Sequence, residues 1–151
     1  MSTNNHEDAV ISAINTLAAA KVQAPGAIAS GVQGLVYLQD LCHVLAANWW
    51  IDMATGERKT LDQVNVPEKL CLIHSEISEA MEGHRKNLMD DKLPHRKMLE
   101  VELADALIRI LDLAGFLGLD MAGATAEKLA FNMQRADHKI ENRKAEGGKA
   151  F

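Results

Sequence analysis

Glu76 and Glu79 stand three residues apart, and after a gap of 22 residues Glu102 and Asp105 repeat that spacing. On a helix each residue advances by about 100°, so both carboxylates of a pair fall on one side. Four carboxylates in a partly buried place repel one another and raise each other's pKa, which makes the group unstable without a cation. Oxygen donors alone select Mg²⁺ or Mn²⁺, whereas Zn²⁺ would be held by His or Cys. Helical di-iron proteins also pair carboxylates across helices, but they need Glu-x-x-His, and this sequence has none.

The second pair lies in a window, Arg96 to Leu117, that reads as a long helix. Leu99, Leu103, Ala106, Leu107, Ile110, Leu111, Leu113, Ala114 and Leu117 cover most of its circumference. One narrow polar stripe remains: Glu102, Asp105, Arg109 and Asp112. A helix apolar nearly all round is expected to be buried, and its charges must then be paired or bind metal. The alternative is a stripe of buried salt bridges, in which Arg109 satisfies two acids and leaves one over. The first pair lies on a helix from Pro67 to Asn87, flanked by Leu72 and Gly83 on the same strip. Leu70, Ile73, Ile77, Ala80 and His84 form the adjoining face, expected to meet the core, while Glu82 points to solvent. Asp90, Asp91 and Pro94 mark a short turn between the two helices, so they should pack antiparallel and bring the four acids together.

Mg²⁺ keeps waters and takes ligand phosphates, so a basic counterpart is expected. Lys128, Asn132, Arg135 and Lys139 share one side of a last helix that Asp120 caps and that runs to about Arg143. Leu129, Ala130, Met133, Ala136 and Ile140 fill the rest. Such a stripe binds phosphate oxygens through charge-assisted hydrogen bonds; the alternative is a solvated surface.

What positions these residues is helix throughout. The chain has 151 residues, 48% of them hydrophobic and 4% aromatic. Ala, Leu, Met, Glu and Lys dominate, which predicts a single all-α domain. Further helices are expected over Asp8–Val22 and Leu35–Trp50, with a Gly- and Pro-containing connector at Gln23–Gly34 and a polar loop at Asp52–Asn65. Cys42 and Cys71 read as buried free thiols. The tail from Ala145 to Phe151 is expected to be mobile. A net charge of −5 disfavours a nucleic-acid polymer as partner but not a small phosphate beside a metal. Asp105, Arg109 and Asp112 interrupt the most apolar window, Leu103 to Leu119, so no membrane span is expected. The polar start, Met1 to Asp8, lacks a signal-peptide pattern, and the expected location is cytoplasmic.

Taken in order, Glu76-x-x-Glu79, the gap, Glu102-x-x-Asp105, Glu127-Lys128-Leu129-Ala130-Phe131-Asn132 and Arg135-Ala136-Asp137-His138-Lys139 resemble the MazG-like family of all-α nucleoside triphosphate pyrophosphohydrolases. The resemblance covers about Leu35 to Phe151 and is greatest to small single-domain phage and bacterial members, through Asn48-Trp49-Trp50 and Gly147-Gly148-Lys149-Ala150-Phe151. It divides the chain into residues 1–34, an N-terminal helix and linker, and 35–151, the resembling part. It implies a helical bundle assembled as a dimer or tetramer, holding two or three Mg²⁺ or Mn²⁺ ions per site through Glu76, Glu79, Glu102 and Asp105. It also implies cleavage of a nucleoside triphosphate to the monophosphate and pyrophosphate. Glu79 is then the proton acceptor, and Lys128, Asn132, Arg135 and Lys139 grip the β- and γ-phosphates or sugar. Trp49 or Trp50 would flank the base while His43 and Asn48 read its edge; core packing is the alternative for the tryptophans, and a satisfied half-buried histidine for His43. Similarity to phage relatives points to dGTP or GTP, with dUTP or dCTP as rivals. The non-enzyme alternative is a helical interaction module whose acids pair with Arg109, Lys128 and Arg135.

Overall fold

The computed structural model describes residues 3–19, 25–136 and 139–144. Among them are six α-helices and no strand: α1 (Thr3–Ala19), α2 (Pro25–Leu45), α3 (Val66–Lys86), α4 (Met98–Leu117), α5 (Met121–Gln134) and α6 (Ile140–Lys144). No helix is long and apolar enough to cross a membrane. The all-α expectation holds. The tail after Lys144, with Asp137 and His138, lies outside the described residues.

Several expected boundaries are corrected. Gln23–Gly34 is not a connector, because α2 begins at Pro25 and continues through Gly26, Gly31 and Gly34. Proline is preorganised for a first turn, and each interior glycine costs only about 1 kcal/mol. Packing of Val32 against the apolar cluster of its unit offsets part of that cost. The same helix stops at Leu45, and Ala47–Trp50 is a tighter 3₁₀ turn. The last helix is not continuous either. It ends at Gln134, and Arg135 is extended, at φ −65° and ψ 128°. Lys128 and Lys139 therefore lie on different elements, and the basic stripe does not share one helical face.

The chain forms two compact units. The first takes residues 1–36 and 120–151. Here α1 packs on α5 around Ala13, Ala126 and Ala130, with Leu17 and Val32 against them. The Asp120 carboxylate starts α5 by accepting from the Gly123 N–H at 2.7 Å.

The second unit, residues 37–119, is built on the pairing of α3 with α4. Asn65 caps α3 by accepting from the Glu68 N–H at 3.2 Å. Asn87 closes it in the left-handed conformation, at φ 51° and ψ 46°. The connector is pinned by Asp90, whose buried carboxylate accepts from the Lys92 and Leu93 amides, and by a bridge between Met89 and Lys97. Gly83 of α3 meets Met98 of α4 so closely that a Cβ would stand 2.8 Å from the Met98 Cβ. Glu76 meets Asp105. Seven residues back along one helix is seven forward along the other, so the pair is antiparallel.

The face that α3 turns to α4 differs from the expected one. Glu76, Ala80 and Gly83 are buried, while Leu70 and Ile77 are half exposed. Small residues permit close helix approach, and the larger aliphatic groups are displaced to the flank. Likewise α4 is not covered all round: Leu103, Leu107 and Ile108 remain nearly half exposed. Cys42 is buried as expected, but Cys71 is exposed.

Candidate metal centre and adjoining cavity

Carboxylate oxygens of Glu76, Glu102 and Asp105 lie within 4.8 Å of one another on the facing sides of α3 and α4. Glu76 and Glu102 are buried, and Asp105 is exposed at the edge. Burial pushes the Glu102 carboxyl up to about 7, helped by its hydrogen bond with Glu76 and by the charges of Glu79, Glu76 and Asp105. Desolvation also raises Asp105, as do Glu76 and Asp90, with Arg109 opposing them. Both shifts have the cause expected of like charges held in poor contact with water. The three groups offer hard oxygen donors only, which fits Mg²⁺ or Mn²⁺ and fits Zn²⁺ poorly.

Glu79 is exposed and stands outside the converging three, although its charge is felt at Glu102. Arg109, one turn beyond Asp105, places its Nε 2.7 Å from Oε1 of Glu76. The salt-bridge alternative has Arg109 satisfy two acids of its own stripe, whereas the pair formed is with Glu76 across the helix interface. It engages Glu76 and leaves Glu102 and Asp105 crowded, as their raised pKa values record.

Beside the acids lies a cavity of about 300 Å³, lined by Ala46, Trp49, Trp50, Lys69, Leu72, Asp105, Ile108, Arg109, Asp112 and Leu113. Its inner wall is fixed by a polar network around Asp112. One oxygen of that carboxylate accepts from Trp50 Nε1 at 2.7 Å and pairs with His43 Nδ1 at 2.9 Å. The other ring nitrogen of His43 lies 2.7 Å from Arg58 Nη2. A guanidinium can only donate, so His43 Nε2 accepts and Nδ1 carries the proton given to Asp112. His43 reaches α4 because Gly115 is bare there: a Cβ would stand 2.6 Å from that of His43. Trp50 is almost fully buried and stacks on Phe116, with ring centroids 3.9 Å apart. The Lys69 ammonium sits 5.0 Å from the Trp50 ring. Trp49, by contrast, is largely exposed at the cavity's mouth.

Of the expected site residues, Glu76, Glu102, Asp105 and Trp50 thus gather around one place. His43 backs the cavity wall without lining it, and Asn48 is exposed beside Trp49. Lys128, Asn132, Arg135 and Lys139 belong to the other unit. There Lys128 lies 5.0 Å from the Phe131 ring, and the side-chain oxygen of Asn132 is buried with no hydrogen-bond partner among the described residues.

Lys69 is not among the residues expected at the site, and Arg109 and Asp112 are expected there only as members of the charged stripe of α4. A signal existed for the first: Lys69, Leu72, Glu76, Glu79 and Gly83 follow the alternating three-and-four spacing of one helix strip. No family model, curated protein or solved structure matches this chain.

Proposed function

We propose that this protein is a metal-dependent nucleoside triphosphate pyrophosphohydrolase of the MazG-like type, releasing the monophosphate and pyrophosphate. The observation that carries the reading is the convergence of Glu76, Glu102 and Asp105 at the edge of a cavity walled by two indoles. Glu76, Glu102 and Asp105 would hold Mg²⁺ or Mn²⁺, with Glu79 beside them as the proton acceptor. When bound, such ions polarise the scissile phosphate and lower the pKa of an attacking water. The chain's own groups supply the rest. Lys69 and Arg109 are the cations that line the cavity, and they are proposed as phosphate contacts in addition to Lys128, Asn132, Arg135 and Lys139. Trp49, largely exposed along the cavity lining, offers a flat face to a planar base, whereas Trp50 is packed in the core against Phe116. Asp112 and His43 keep Trp50 in place. Glu79 is open to solvent, as a proton acceptor from water has to be.

The substrate proposed is dGTP or GTP, on resemblance to phage relatives. The test is a panel of the eight common ribo- and deoxynucleoside triphosphates with Mg²⁺, assayed for pyrophosphate. Turnover greatest with dGTP or GTP is the expected result. Turnover confined to dUTP or dCTP would move the base preference and keep the reaction; release of phosphate in place of pyrophosphate would sink the reaction class.

A second reading, the helical interaction module, is favoured by the Arg109–Glu76 pair at 2.7 Å. Titration with Mn²⁺ decides between them, since a stripe satisfied by salt bridges has no need of the ion.

Self-association belongs to the same proposal. Tyr37, Leu41, Val44 and Leu45 on α2 are exposed, as are Leu70, Ile77 and Met81 on α3. Leu103, Leu107 and Ile108 on α4 are exposed as well. A closed homodimer would cover these side chains with a self-complementary interface. Light scattering at micromolar concentration should give at least twice the chain mass of 16.5 kDa. A stable, active monomer would rule the interface out.

A further inference from the structure

Arg109 stands between the two halves of the site. Its guanidinium is paired with Glu76, a carboxylate whose side chain is only 8% exposed. Its side chain is itself 45% exposed and forms part of the cavity lining, as do Asp105 and Lys69. A buried carboxylate needs a partner, and here the partner is a flexible, half-exposed cation that Glu76 does not own for any packing reason. Glu76 is also one of the three acids whose oxygens converge. An arginine and a divalent ion on one carboxylate repel, so the two compete for Glu76.

We infer that Arg109 is a resident counter-cation. A divalent ion displaces it from Glu76, and the freed guanidinium then turns to a phosphate of the ligand in the adjoining cavity. This deepens the metal-site reading above and rests on it. The physical case has three parts. First, Arg109 and Asp105 are four residues apart on one face of α4, so the guanidinium reaches either Glu76 or the cavity by side-chain rotation alone. Second, the planar fork of arginine suits bidentate binding of carboxylate and of phosphate about equally, so the exchange loses little. Third, Lys69 lines the same cavity, and two cations there are more than Asp105 and Asp112 need if the ion carries the acids' charge. Metal-free, the pair keeps Glu76 neutralised; with metal and triphosphate present, the same side chain adds to ligand binding. Arg109 therefore couples the two ligands, each binding more tightly in the presence of the other.

The test uses the whole chain, Arg109→Gln and Arg109→Lys, with Mn²⁺ titrated by calorimetry or by electron paramagnetic resonance, without nucleotide and then with a non-hydrolysable α,β-methylene triphosphate. Removing the competitor should tighten Mn²⁺ binding of Arg109→Gln about tenfold, the order of one charge-assisted hydrogen bond. Binding of the triphosphate analogue with Mn²⁺ present should weaken about tenfold in the same variant. Arg109→Lys should lie between, since it keeps the charge and loses the fork. Arg109 is half exposed, so both variants should fold, which circular dichroism checks. If the wild type binds Mn²⁺ and Arg109→Gln binds it equally or less tightly, Arg109 is a fixed tether of Glu76 and the inference fails while the metal site stands. Tighter Mn²⁺ with unchanged analogue affinity overturns the turn toward phosphate. Absence of Mn²⁺ binding by both proteins removes the metal reading and this one together. Binding by the variant alone would show that the ion cannot displace Arg109 from Glu76, and overturns the inference.

Discussion

Asp105→Asn should leave the helical fold intact and reduce turnover by roughly 1,000-fold or more, since a metal ligand contributes several kcal/mol to the transition state and each 1.36 kcal/mol is tenfold in rate. The fold should survive because Asp105 is exposed at the edge of the cluster and its carboxyl is already strained upward in pKa by desolvation and by Glu76. Replacing one charge in a crowded acidic group relieves repulsion. Glu79→Gln should also remove nearly all turnover, but for a different reason. Glu79 is exposed and stands outside the three converging oxygens, so its loss should fall on proton transfer and leave Mn²⁺ affinity little changed. Measuring kcat and Mn²⁺ affinity for both variants separates the roles. Wild-type kcat for Asp105→Asn at saturating Mg²⁺ would make the metal assignment wrong, and equal loss of Mn²⁺ affinity in both would make Glu79 a ligand.

The metal-free protein should lose stability as pH rises from about 5 to 7.5, by on the order of 2–3 kcal/mol. The sign follows from Glu102, whose carboxyl is raised from 4.5 to about 7 in the folded chain. Between those values the folded protein holds a proton that the unfolded chain has released. Stability is therefore full below the lower value, falls by up to about 1.4 kcal/mol per pH unit through the window, and levels off above the upper one. Asp105, raised for the same physical reason, contributes a loss of the same sign. Asp52, Asp62, Glu82 and Asp91 are lowered by hydrogen bonds, so their contributions are lost only at more acid pH and do not oppose it. In the presence of chelator, the melting temperature should drop by about 5–10 °C across the window for a domain of this size. Millimolar Mg²⁺ or Mn²⁺ should flatten or reverse the trend, because the ion binds the deprotonated acids and releases the proton. Glu102→Gln should abolish most of the slope. A metal-free melting temperature that stays level or climbs from pH 5 to 7.5 would show that Glu76, Glu102 and Asp105 do not share a crowded site.

The helical character of the chain, the α3 and α4 segments and the acidic pairs were all legible in the residues, because each depends on local spacing. Asn65 and Asp120 at helix starts, and Asn87 and Gly118 at helix ends, act within one turn, so boundaries near them came out within a residue or two. Boundaries set by distant contacts did not. The glycines of α2 suggest a connector until Val32 is packed against its cluster, and nothing near Arg135 in sequence announces that α5 stops there. The same division runs through the site. That Glu76, Glu102 and Asp105 share faces of their helices follows from a period of 3.6 residues. That α3 buries the Glu76–Ala80–Gly83 strip and leaves Leu70 and Ile77 to solvent was decided by packing, since Gly83 and Ala80 allow α4 to come close where Leu or Ile would hold it off. The partner of Glu76, the stacking of Trp50 on Phe116 and the bond from Trp50 and His43 to Asp112 join residues 33 to 69 positions apart. Local patterning fixes which residue types occur on a helix face; only the antiparallel register of α3 on α4 fixes which of them meet.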